Sequence, residues 1–250
     1  MCGRFAMTSP PEATRRFFGY LEQPNFPPRY NIAPTQPVPI VRGRFDAAHR
    51  LVRHFDLVRW GFLPPFVKDP RHFPLIINAR AETLLEKPSF AAAFRRRRCL
   101  FLADAFYEWR RETGSPRGGA RPYLFRRADG EPLALAGIWE SWSGPNGEEL
   151  DTACVITTAA NGSTAAIHDR LPAIIEREAI EAWLCPDEAT TEAALRQLRP
   201  PANDALDFFV IGPQINKAAN DYKEVQEPAG AAPLPRASEP QDGPAQQLLF

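Results

Sequence analysis

Apolar residues in this chain follow helical spacing in only a few places and strand-like runs in many more. Near the amino end, Ser9-Pro10-Pro11 precedes EATRRFFGYLE, in which Phe17, Phe18 and Leu21 fall on one face. Proline suits a first helical turn and serine caps one, so a helix is expected with Ser9 at the N-cap and Pro10 at N1. RYNIAPTQPVPIV is proline-broken and extended, ending in a short strand near Val38–Val41. LVRHFDLVRWGF reads as another strand, and LPPFVKDP as a loop. After Leu75-Ile76-Ile77, NARAETLLEKPSFAAAFRRRR reads as a polar turn, a short helix, and a second helix from about Pro88 or Ser89. Strands then dominate: CLFLADAFYEW, RPYLFRR, LALAGIWESW and DTACVITTAA, separated by the turn-rich GSPRGGA, ADGE and SGPNGEE. EREAIEAWL and ATTEAALRQL are amphipathic helices, and DFFVIG is a last strand.

This order of elements predicts a single α+β domain: mostly antiparallel sheets in a barrel-like core, with peripheral helices. Beyond about Gln226 the chain runs EPAGAAPLPRASEPQDGPAQQ, polar and rich in proline, glycine and alanine. Such a segment cannot bury enough apolar surface to offset its ordering entropy. The domain is therefore expected over residues 2–228, with a disordered tail over 229–250.

Composition narrows the setting. Hydrophobic residues make up 44% and charged residues 24% of the 250, as in ordinary soluble domains. No run reaches the ~18 apolar residues of a membrane span, and no signal-peptide pattern opens the chain. Four cysteines (Cys2, Cys99, Cys154, Cys185) lie far apart with no CxxC pair, which argues against a zinc site or a disulfide framework. A reducing, cytoplasmic location is expected, with no metal, no cofactor and a monomeric state. Net charge is zero, yet residues 1–127 hold 23 Lys+Arg against 10 Asp+Glu, and residues 128–250 hold 7 against 20. That asymmetry fits either a face for a polyanion or one neutral body with mixed faces.

The first five residues, MCGRF, carry the most specific chemistry. Excision of Met1 would leave Cys2 with a free α-amine (pKa ~7.7–8.0) and a thiol (pKa ~8.5) on adjacent carbons. With an aldehyde, the amine gives an imine that the thiol closes to a thiazolidine; with an acyl substrate, the thiol would form a thioester. The alternative is a small buried cysteine without a chemical role. INAR at 77–80 places Asn78 and Arg80 on one face of an extended backbone, an amide to orient a polar ligand and a guanidinium to hold a phosphate. In FYEW, Glu108 sits among aromatics, where burial would raise its pKa toward acid–base use; it shares a face with Phe106 and could equally face solvent. His168, in IHDR at a strand-to-loop transition, suits proton transfer or a structural role. The run RRRR at 95–98 lies at a helix end; four adjacent arginines cannot all face one way, so part of it reads as a solvated face that complements the helix dipole. Trp60, Phe66 and Trp109 are candidate stacking surfaces for unpaired bases, or core.

Taken in order, MCGRF, RYNIAPTQ, RWGFLPPF, INARAET, RRRRCLFLADAFYEW, AGIWESW, TTAANGSTAAIHDRLP and INKAANDYKEV resemble the SOS response-associated peptidase (SRAP) family of abasic-site processing proteins. The resemblance spans roughly residues 2–228. It implies recognition of abasic sites in single-stranded DNA and a thiazolidine crosslink in the DNA damage response. It also implies lyase-type imine chemistry and a thiol autopeptidase activity that exposes Cys2. On the matching positions, Cys2 is the crosslinking nucleophile and Asn78 positions sugar and amine. Glu108 shuttles protons, and His168 assists opening of the deoxyribose ring. Arg4 and Arg80 resemble phosphate-contacting residues, with Trp109 and Phe66 near the bases. Two departures stand out: Ala105 replaces a usual glycine before FYEW, and Phe66 a usual tryptophan. The rival readings are an amino-terminal-nucleophile amidotransferase or thiol peptidase acting on substrates other than DNA, and a plain nucleic-acid-binding module.

Overall fold

The computed structural model describes residues 2–111 and 119–230. Its strands are β1 (Phe5–Met7), β2 (Arg29–Ile32), β3 (Pro37–Phe45), β4 (Leu51–Trp60), β5 (Asn78–Arg80), β6 (Arg98–Ala103), β7 (Ala105–Arg111), β8 (Ala120–Arg127), β9 (Leu133–Ser143), β10 (Glu149–Ala159), β11 (Arg170–Pro172) and β12 (Leu206–Val210). The α-helices are α1 (Pro11–Phe18), α2 (Pro88–Arg96), α3 (Ile180–Leu184) and α4 (Thr191–Gln197). This is the expected α+β domain.

Five strands close on themselves: β10 pairs β4, β4 pairs β3, β3 pairs β6, β6 pairs β9, and β9 returns to β10. Closure removes the free edges that an open sheet would leave. Among the described residues, only the β10 pairings with β4 and β5 are parallel. A second sheet runs in the order β12-β8-β7-β1-β2. Its inner side chains Phe5, Phe106 and Phe125 join the barrel core, where Phe5 meets Trp60 and Phe101 edge-on. Its outer face buries Ala6, Tyr107 and Leu124 against Ile211, Ile215 and Val225.

The segment CLFLADAFYEW is two strands in two sheets, β6 in the barrel and β7 in the second sheet. Asp104 marks the crossing. Its carboxylate accepts from Thr8 N (2.5 Å), Ser9 N (2.7 Å) and Ser9 Oγ (2.7 Å). These bonds take Ser9 away from the helix, so α1 starts at Pro11 with Pro10 as an uncapped N-cap, one residue later than the sequence suggests. The helix stops at Gly19, left-handed at φ 71°, and Leu21 lies beyond it and 63% exposed. Ala105 takes no left-handed conformation, so the alanine that replaces the usual glycine fits an ordinary strand. The strand expected near Val38–Val41 is longer, because β3 pairs β4 along its whole length from Pro37↔Arg59 to Phe45↔Leu51.

Only part of the arginine run is a solvated face, as expected: the Arg96 side chain is 66% exposed, and the last arginine turns inward. Arg96 pairs with Glu188 and Arg97 with Glu140, while Arg98 is 3% exposed. Arg98 donates to Trp183 O, Phe94 O, Arg95 O, Cys185 O and Thr190 Oγ1, which ties α2, β6, α3 and the start of α4 together. Arg98→Met would strand those buried acceptors, at an expected cost of about 3–5 kcal/mol. A urea unfolding midpoint within error of the wild type would refute that role. The tail expected to be disordered lies, from residue 231 on, outside the described residues.

Candidate active site around Cys2

β1 runs antiparallel beside β7, with Phe5 opposite Phe106 and Tyr107 N donating to Arg4 O at 3.0 Å. That direction carries the chain back from Phe5 to Cys2 alongside Glu108. Alternation along β7 sends Phe106 and Glu108 to the inner face, and the barrel behind that face buries both. Cys2 is fully buried, and its thiol donates weakly to Arg4 O at 3.9 Å. Burial pushes the thiol well above its ordinary value, with the Glu108 charge adding in the same direction. The thiol is therefore protonated at neutral pH and needs a base to act as a nucleophile.

Glu108 is suited to that task. Its 2% exposure pushes its carboxyl up to about 7, close to the pKa an efficient general acid–base needs. His168 Nε2 lies 3.8 Å from Glu108 Oε2. The other ring nitrogen, Nδ1, sits between Arg170 N (3.0 Å), Arg170 O (3.1 Å) and Asp169 Oδ1 (3.1 Å), which aims the ring. Burial lowers the His168 pKa, so the imidazole is largely neutral at pH 7 and above. Asn78 reaches the same place from β5, on the barrel's central strand β10. Its Nδ2 donates to Cys2 O at 2.9 Å, while its Oδ1 is buried with no hydrogen-bond partner. A buried, unused acceptor two bonds from a donor already on Cys2 is ready for an N–H or O–H arriving there.

The raised Glu108 pKa has a consequence for stability. The folded state favours the protonated carboxyl, so this group's contribution is fully present below the ordinary value of about 4.5. It is lost as pH rises through about 7. The difference corresponds to roughly 3 kcal/mol at pH 8. Glu108→Gln should therefore melt several degrees above the wild type at pH 8 and with it near pH 4.5. Equal melting temperatures at pH 8 would contradict the buried assignment.

The candidate DNA-contacting residues divide. Arg80 is exposed at the end of β5, on the same side as Asn78. Arg4 is partly buried and committed within the protein, donating to Asn31 Oδ1 (2.8 Å), Ile215 O (2.8 Å) and Asn216 O (3.3 Å). Trp109 is half-buried and donates through Nε1 to Asn216 Oδ1 at 2.7 Å. Phe66 is 62% exposed on the proline loop, edge-on to Phe73. Trp60 is no stacking surface: it is fully buried, with Nε1 donating to Ile77 O at 3.0 Å. Sequence reasoning passed over Arg170, which holds Glu82 in a two-pronged ion pair (2.6 and 2.9 Å) and donates to Thr157 O. It also passed over Asn31 and Asp221, whose partners lie about 190 residues apart. The only signal was their place inside RYNIAPTQ and INKAANDYKEV. Among the described residues, no group of three His, Cys, Asp or Glu could hold a metal, and no helix is long and apolar enough to cross a membrane.

A closed β-barrel thus brings a second-residue cysteine together with a buried carboxyl, a histidine and an amide. The chain belongs to the SOS response associated peptidase (SRAP) family, whose family model matches residues 1–218. It is 33% identical over 230 residues to the abasic site processing protein YoqW of Bacillus subtilis (strain 168), covering 91% of this chain and 99% of that protein. It is 30% identical over 276 residues to the abasic site processing protein HMCES of Rattus norvegicus, covering 92% of this chain and 76% of the relative. A crystal structure of a Bacteroides thetaiotaomicron protein superposes with a TM-score of 0.75 at 26% identity, covering 91% of this chain and all of that one.

Proposed function

We propose that residues 2–228 recognise an abasic site in single-stranded DNA and capture its ring-opened aldehyde as a thiazolidine on Cys2, once Met1 has been removed. Removal falls to ordinary amino-terminal processing or to the autopeptidase activity that family membership suggests. The observation that carries the reading is the convergence on Cys2 of Asn78, bonded to its carbonyl, and of Glu108, with a pKa near neutrality and His168 beside it. The names of the relatives supply the substrate class.

The chemistry follows from these groups. The abasic sugar is a cyclic hemiacetal, and opening it moves the proton of the C1′ hydroxyl to the ring oxygen and frees the aldehyde. His168 serves this step. The Cys2 amine attacks the aldehyde carbon to give a carbinolamine. Glu108 accepts a proton from the nitrogen and returns it to the hydroxyl, which leaves as water to form the imine. The Cys2 thiol then adds across C=N, with its proton passing to nitrogen through Glu108. The product equals protein plus DNA minus one water. Asn78 holds the Cys2 carbonyl and offers Oδ1 to the amine N–H. Arg80, Arg4, Trp109 and Phe66 are proposed to border the DNA, the first two by phosphate contact and the aromatics by stacking.

Single-stranded oligonucleotides with an abasic site, with a tetrahydrofuran analogue that cannot open, or with an intact base test this directly. On a denaturing gel, a heat-stable adduct is expected with the abasic strand alone. An adduct on the tetrahydrofuran strand, or none on any strand, would overturn the proposal.

A further inference from the structure

Two sequence motifs have no part in the chemistry above: RYNIAPTQ, around β2, and INKAANDYKEV, which follows β12. They meet at one buried residue. Asn31 is fully buried on β2, the edge strand beside β1. Its Nδ2 lies within hydrogen-bond distance of Ile215 O (3.2 Å), Lys217 O (2.9 Å) and Asn220 O (2.9 Å). Its Oδ1 accepts from Arg4 Nη1 at 2.8 Å. This amide orientation is forced, because a guanidinium only donates and carbonyls only accept. Asp221 closes the far end, its Oδ1 accepting from Tyr30 N (2.5 Å) and Asn31 N (2.9 Å) and its Oδ2 from Arg29 Nε. The loop so clamped, residues 213–222, in turn gives Arg4 the carbonyls of Ile215 and Asn216, and gives Trp109 the Asn216 side chain.

We infer that Asn31 and Asp221 are positioning residues: they clamp the 213–222 loop and through it lock Arg4, two residues from Cys2, so that the nucleophile stays in register with Glu108 and Asn78. An amino-terminal nucleophile is a chain end, and a chain end frays unless it is tied down. β1 is only three residues long, and its register to β2 shifts between Phe5 and Met7. The short strand thus gives little anchoring, and Arg4 is the side chain that anchors the end laterally. The loop from the far end of the domain is thereby part of the site, although it contributes no reacting group. Misplacing a reacting atom by about 1 Å can cost roughly a hundredfold in rate, so a clamp acting only on position would show in the rate of the chemical step.

The inference rests on the proposed crosslinking for its kinetic readout and on hydrogen exchange for a readout independent of it. Asn31→Ala should slow crosslinking at saturating abasic DNA, where binding does not limit the rate, by at least about tenfold. Because Asn31 acts through Arg4, the double variant Arg4→Ala/Asn31→Ala should react no more slowly than Arg4→Ala alone. Asp221→Asn keeps the shape of a partly exposed residue and removes its charge. It serves where Asn31→Ala does not fold, and it should show the same loss of rate at saturating DNA. In either variant, amide exchange should rise together in residues 3–7 and 213–222 and stay unchanged in β6 and β9. Multiplicative rate losses in the double variant, a wild-type rate in Asp221→Asn, or exchange rising in one segment alone would overturn the clamp. A wild type that forms no crosslink would remove the proposed function and leave the exchange result to decide the clamp by itself.

Discussion

Glu108→Gln is expected to slow crosslinking by about a hundredfold or more while binding the tetrahydrofuran strand as the wild type does. Glutamine preserves the size and polarity of the side chain but cannot take up or release a proton. The two proton transfers assigned to Glu108, from nitrogen to the departing hydroxyl and from thiol to nitrogen, then fall to water in a pocket that excludes it. The pH profile separates this role from a structural one. In the wild type, the rate should climb with pH through about 7 as the carboxylate forms. In Glu108→Gln that rise should vanish and leave only titration of the α-amine, which frees the nucleophile near pH ~8. An unchanged inflection near 7 would take Glu108 out of the mechanism. The expected gain in thermal stability of the same variant at pH 8 guards against misfolding as the explanation.

Cys2→Ala should lose the heat-stable adduct altogether. The variant keeps an α-amine after Met1 is removed, because alanine is also small, so an imine with the abasic aldehyde can still form. It cannot close the ring, and an imine hydrolyses. The adduct should therefore appear only after borohydride reduction, whereas the wild-type adduct needs no reductant. This contrast separates the thiol from the amine within one residue. A heat-stable, reductant-independent adduct in Cys2→Ala would place the nucleophile elsewhere. Cys99 and Cys154, both fully buried in the barrel, are poor substitutes, since an internal cysteine has no free α-amine beside its thiol to form the imine.

Much of the fold could be read locally. The strands β7, β8, β9 and β10 follow runs of apolar and β-branched residues closely enough that their order pointed to antiparallel sheets around a core. The closure of the barrel could not be read in this way. It depends on Arg59 and Trp60 pairing in parallel with Thr152 and Ala153, and nothing in either segment names its partner. CLFLADAFYEW reads as one strand because Asp104 is the only charged residue between Cys99 and Tyr107. The carboxylate marks a crossing between sheets only once Thr8 and Ser9 are seen to donate to it. That the four adjacent arginines cannot share one face could be read locally, but which of them turns inward could not: β6 begins at Arg98 and buries it.

The candidate site was legible to a similar degree. Alternation in FYEW paired Glu108 with Phe106, but two opposite faces remained possible until the barrel was in place behind one of them. Cys2, Asn78 and His168 stood out by chemistry and by family resemblance. Their meeting point required three separate segments on three different strands or loops. Asn31 and Asp221 carry no chemistry of their own, so a search for reactive residues passes over them. Their importance lies in backbone groups they hold far away in sequence.

The central claim is a thiazolidine on Cys2, and intact-mass spectrometry of the full chain tests it most directly. The protein would be measured alone and after mixing with a single-stranded oligonucleotide bearing one abasic site, with no reductant added. The account predicts a starting mass lacking Met1, followed by a species weighing protein plus oligonucleotide minus one water that survives heating and fragments to a modified Cys2. A processed chain that gives no such species, or a species whose modification maps to another residue, would contradict it.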